Sequence, residues 1–102
     1  MIIYNVTVSV DADIADEWLD WMRTTHITDV MATGLFLDHR LCRVLNVEDE
    51  GRTFAIQYTL ADMATYDRYA AEHAPRLQNE TRKRYEGRFV AFRTLLEVIH
   101  TH

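Results

Sequence analysis

The residues best suited to chemistry are two histidines and a pair of tyrosines. His26 closes the run WLDWMRTTH, and His73 stands in the segment EHAP. Tyr66, Tyr69 and His73 recur at helical spacing, which on an unbroken helix gathers them on one stripe with Ala70 and Leu77. An imidazole that titrates near neutrality can remove a proton, and a phenol can donate to the oxyanion that results. His73, His26, Tyr66 and Tyr69 are therefore the candidate catalytic or ligand-contacting residues. The plainer alternative is a pair of core histidines, each satisfied by a hydroxyl or a carbonyl. A metal on this pair would need a third ligand such as Asp29, His39 or Glu72. None of these falls at a recognised spacing, so neither metal nor cofactor is expected. His100 and His102 are expected to fray.

These side chains need elements to hold them. Residues 2 to 10 alternate, with Ile2, Tyr4, Val6, Val8 and Val10 on one side, which predicts a strand. Asp11 or Asp13 is expected to cap a helix that runs to about residue 25. Its inward face would be Ala15, Trp18, Leu19 and Met22, and a short helical turn over 27–33 would end at Gly34. A second strand is read over 35–47, the EDEG turn over 48–51 and a third strand over 52–60. A second helical region is read from Asp62 to about Tyr85, interrupted at Pro75, and a fourth strand over 88–99. The order β-α-β-β-α-β predicts an α+β, ferredoxin-like sandwich in a single domain over 1–102, with strands one and three central and both helices on one face.

The other face of that sheet would be left bare. For the fourth strand the expectation is Phe89, Ala91, Arg93, Leu95 and Glu97 on the bare face, with Val90, Phe92, Leu96 and Val98 toward the helices. Arg93 and Glu97 would then pair across the sheet or a subunit contact, the alternative being a buried guanidinium that holds a carboxylate. The second strand is ambiguous: it offers either Leu37, His39, Leu41 and Arg43 or the opposite parity with Cys42 and Val44. Such a mixed surface suits dimerisation.

Composition excludes several function classes. With 16 acidic against 11 basic residues, the net charge of −5 disfavours nucleic-acid binding. RTFAIQYTL lacks the aromatic and basic pattern of an RNA-binding sheet. Only Gly34, Gly51 and Gly87 are present, too few for a phosphate-cradling loop. The single cysteine, Cys42, rules out an internal disulfide and fits a reducing, cytoplasmic setting. No apolar run is long enough for a membrane span, and the first residues read as a strand rather than a signal peptide.

Three segments carry a resemblance that covers essentially the whole chain. They are MIIYNVTVSVD, the pattern W-x2-W-M-x3-H-I-x-D-V-M-x-T-G-L-F, and EHAP together with RFVAFRTLLEV. The sequence resembles a bacterial family of small proteins catalogued as domain of unknown function 4286. Members of that family are similar to dimeric α/β barrels, in which two ferredoxin-like subunits pack their sheets together and each keeps a pocket between sheet and helices. The resemblance implies a homodimer. It leaves the activity open between a binding or interaction module and a cofactor-independent monooxygenase or isomerase acting on a small apolar or aromatic molecule, since the wider group also includes haem-degrading enzymes and ligand sensors. It assigns no catalytic residue to any position here.

Overall fold

The structure, a computed structural model, describes residues 1–45 and 52–101. The strands are β1 (Ile2–Val10), β2 (Asp38–Arg43), β3 (Arg52–Leu60) and β4 (Phe89–Glu97). They form one antiparallel sheet in the order β2-β3-β1-β4, so the two strands with the cleanest alternation are the inner ones. Ile2, Tyr4, Val8 and Val10 of β1 and Phe54, Ile56, Tyr58 and Leu60 of β3 are buried on one face. Fully burying a side chain of this kind contributes about 1.5–3 kcal/mol, which is why the pattern fixes the register. The EDEG turn lies outside the described residues.

The helical layer is less regular than the sequence suggests. After β1 the chain makes a 3-10 turn (Ala12–Ile14), then α1 (Ala15–Trp21), a π turn (Met22–His26) and α2 (Ile27–Met31). The helix and the separate turn that the sequence predicts form one continuous helical run, stopped at Gly34, whose φ of 76° suits a residue without Cβ. Asp11 and Asp13 do not cap it through their side chains. Both carboxylates instead accept from Arg88 at 2.6 Å, which ties the start of the run to the start of β4. The second region divides into α3 (Met63–Glu72) and α4 (Ala74–Tyr85). Asp62 caps α3 by accepting from the Thr65 amide at 2.9 Å. Pro75 lies in the first turn of α4, where its missing amide hydrogen leaves no bond unmade.

Strand pairing corrects the expected faces of the fourth strand and decides the open parity of the second. In β4, Arg93 stands opposite Val6, Ala91 opposite Val8 and Phe89 opposite Val10. Directly paired residues share a face, so Phe89, Ala91, Arg93 and Leu95 point to the helix side. Val90, Phe92 and Leu96 lie on the bare face, with Phe92 66% exposed. Arg93 and Glu97 therefore do not form the expected subunit-facing pair. In β2, His39, Leu41 and Arg43 stand opposite Tyr58, Ile56 and Phe54, which selects the second parity and leaves Cys42 exposed on the bare face. Among the described residues, no helix is long and apolar enough to cross a membrane.

Candidate functional site

The helices do not fill the space above the sheet. A cavity of about 220 Å³ remains between β1, β3 and β4 on one side and the helical run and α4 on the other. Trp18, Met22, His26 and Val30 all line it, at intervals of four residues. In an unbroken α-helix, four residues advance the side chain by about 40° beyond a full turn, so three such steps would carry Val30 well away from Trp18. The wider π turn between Met22 and His26 takes back part of that drift and keeps the four on one side. The sheet contributes Tyr4, Val6, Tyr58, Ala91 and Arg93, and the second helical region adds Tyr69, Gln78 and Thr81.

His26 is the cavity's imidazole. Its ring stacks on Trp21, 5.3 Å between centroids, and Thr81 Oγ1 lies 3.3 Å from Nδ1. Thr81 Oγ1 also lies 3.3 Å from the Leu77 carbonyl oxygen. With the hydroxyl's one hydrogen on that carbonyl, Thr81 accepts from Nδ1–H and Nε2 keeps the lone pair. Burial pushes the imidazole down to about 4; the Asp29 carboxylate opposes this and the Arg93 charge adds to it. His26 is therefore a neutral ring at pH 7.

The tyrosines are neutral as well. Burial raises the phenols of Tyr4, Tyr58 and Tyr69, and neighbouring tyrosines add to the effect, while the guanidinium of Arg93 opposes it at Tyr4 and Tyr69. Their rings form one aromatic cluster: Tyr4 lies 6.0 Å from Tyr58 and 5.8 Å from Tyr69, and Phe36 packs 4.8 Å from Tyr69 edge-on. Tyr66 touches this cluster through Tyr4, 5.4 Å between centroids, without lining the cavity. Trp18 is buried, stacks on Phe54 at 5.2 Å and has an indole N–H with no partner among the described residues.

His73 does not share this cavity. It occupies the break between α3 and α4, with φ −126° and ψ −39°, and this departure from helical geometry rotates it off the stripe that a continuous wheel assigns to it. Its ring stacks on the outer side of Tyr69 at 6.3 Å, its Nε2 lies 3.9 Å from Glu72, and its side chain is 26% exposed beside Asp29 and Arg76 in a surface depression. The structure thus brings His26 and Tyr69 together and leaves His73 and Tyr66 outside. No group of three potential metal ligands gathers among the described residues. Tyr4, Tyr58, Gln78 and Thr81 are cavity residues outside the site that the sequence predicts, and Arg93, expected on the bare face, joins them. Tyr4 was visible as a hydroxyl-bearing residue on the buried side of an inner strand, whereas Arg93 required the β4 register.

A four-stranded antiparallel sheet in the order β2-β3-β1-β4, with helices on one face and a cavity beneath them, defines an α+β protein of the ferredoxin-like class. Within that class the chain belongs to the family described as Domain of unknown function (DUF4286), whose model matches residues 1–99. No curated protein matches the sequence. Among solved structures, the chain is similar to a dimeric ferredoxin-like protein from an uncultured marine organism (TM-score 0.79, 15% identity, 99% of this chain and 97% of that one). It is also similar to an antibiotic biosynthesis monooxygenase (0.63, 19%, 98% and 100%) and to a variant of SnoaB, a cofactor-independent oxygenase from Streptomyces nogalater (0.65, 16%, 98% and 95%). At these identities the likeness is one of fold.

Proposed function

We propose that this protein is a small cytoplasmic homodimer that binds an apolar or aromatic molecule in the cavity between its sheet and helices. The observation that carries the reading is the 220 Å³ space itself, walled by aromatic rings and dotted with a few polar tips. An apolar cavity of about 150 Å³ already holds benzene, so this one accommodates a substituted ring. Filling it tests the reading. Ala91→Trp places an indole in the cavity from a strand position that is only half-buried. Titration of aromatic probes into the wild type and this variant should show binding lost in the variant while its circular dichroism is retained. Unchanged affinity would put the ligand elsewhere.

The dimer has two supports: the dimeric relative of the same fold, and the exposed Val90, Phe92 and Leu96 on the bare face. Light scattering at micromolar concentration should give a mass of twice 12.0 kDa. Phe92→Glu should shift it toward the monomer, because it sets a charge in the apolar stripe. A monomeric wild type would end this part of the reading.

The second reading is a cofactor-independent oxygenase or isomerase. It is favoured by the free lone pair on His26 Nε2 and by the fold shared with the Streptomyces enzyme. A base held at about 4 is a weak one, which argues for binding over proton abstraction.

A further inference from the structure

The cavity's charge is at odds with that of the chain. Although 16 residues are acidic against 11 basic, none of the cavity-lining residues is acidic, and two of them, Arg82 and Arg93, are cations. Five other arginines face carboxylates, Arg68, Arg84 and Arg88 within 3.5 Å and Arg23 and Arg76 within 4.0 Å, whereas Arg40 and Arg43, outside the cavity, form no ion pair among the described residues. Arg82 and Arg93 form no ion pair with any described residue. Arg93 is the more telling of the two. Its place opposite Val6 sends its side chain to the helix side, and its charge is felt by Tyr4, Tyr69 and His26, all of which line the cavity and all of which are neutral at pH 7.

We infer that the cavity's ligand is an aromatic carboxylic acid, whose ring lies among the tyrosines and Trp18 and whose carboxylate is held by Arg93. This rests on the binding reading above and adds the ligand's chemical class. A guanidinium offers a planar pair of N–H donors that matches a carboxylate, and it does so best where no protein carboxylate competes. Neutral His26 and the neutral phenols complete a polar end without adding charge. A phosphate dianion is less well matched, because the sequence has no glycine-rich loop of backbone N–H groups to share the second charge. The volume suits one ring with a short acid side chain, or a fused bicyclic acid.

The test uses matched pairs: benzoate and benzamide, cinnamate and cinnamamide, indole-3-acetate and its amide, and phenyl phosphate as the competing anion. Calorimetric titration of the full chain at pH 7 should show at least one acid binding tenfold or more tightly than its amide. Arg93→Gln should abolish that preference by weakening the acid and leaving the amide within about twofold, a pattern that a folding defect cannot produce. Arg82→Gln, at the second cation, should cost the acid less than Arg93→Gln does. If acids and amides bind the wild type equally well, the acid inference falls and the binding reading stands. If phenyl phosphate binds more tightly than every carboxylate, the inference also falls, in favour of a phosphate ester. If no pair binds, or if Ala91→Trp binds as well as the wild type, both readings fall.

Discussion

Trp18→Ala should cost about 3–5 kcal/mol of folding stability, the range for truncating a buried large aromatic. Trp18 is 1% exposed, stacks on Phe54 of β3, and projects from the helical run that follows β1. Its removal would join the space it leaves to the 220 Å³ cavity already beside it, so neighbouring side chains would have little to collapse onto. The whole stability of a domain this size is about 5–15 kcal/mol, so the variant should be partly unfolded at 37 °C. Urea unfolding gives the readout as a lower midpoint at unchanged slope. Trp18→Phe separates packing from the polar atom. It keeps a ring against Phe54 and removes an indole N–H that has no partner among the described residues, so its loss should stay below about 1.5 kcal/mol. A cost under about 1 kcal/mol for Trp18→Ala would show that the helical run is not anchored there.

The parts of the fold that could be read from the sequence are those where one parity is apolar and the other is not. β1 sets Ile2, Tyr4, Val6, Val8 and Val10 against Asn5, Thr7 and Ser9, and β3 sets Phe54, Ile56, Tyr58 and Leu60 against Thr53, Gln57 and Thr59. In each case only one register buries the apolar set. β4 offers no such contrast, because Phe89, Ala91 and Leu95 compete with Val90, Phe92 and Leu96. Hydrophobicity alone chose the wrong set, and only the pairing with β1 returned Arg93 to the cavity. The candidate site was half legible for a related reason. The wheel located His26 correctly on the inward side of its run, yet it could not foresee the π turn that lines His26 up with Trp18 and Val30. For His73 the same wheel failed. It assumes a constant advance per residue through Pro75, and the chain breaks two residues earlier. Tyr69 lies before that break and kept its inward position.

Acid should weaken the fold through His26 before the carboxylates begin to matter. The imidazole's ordinary value is 6.5 and the folded chain holds it at about 4, so between these limits the unfolded chain binds more protons than the folded one. Stability then rises with pH across that window, is complete above about 6.5, and is lost as pH falls toward 4. The full interval corresponds to about 3 kcal/mol, and the ring's partial exposure lowers this toward 1–2 kcal/mol. The charged groups around the ring set the sign. Arg93 and the buried wall resist a second positive charge, and Asp29 only partly compensates. Glu and Asp side chains titrate mostly below pH 5, so urea midpoints between pH 5 and 6.5 isolate the histidine. The wild type should lose stability across that interval, and His26→Gln, which keeps a hydrogen-bonding side chain beside Thr81, should be flat. A bound carboxylate supplies the negative charge that the cavity lacks, so a saturating aromatic acid should raise the His26 value and shallow the slope. A wild type with no slope between pH 5 and 6.5, or one whose slope survives His26→Gln, would mean that the ring is solvated rather than enclosed.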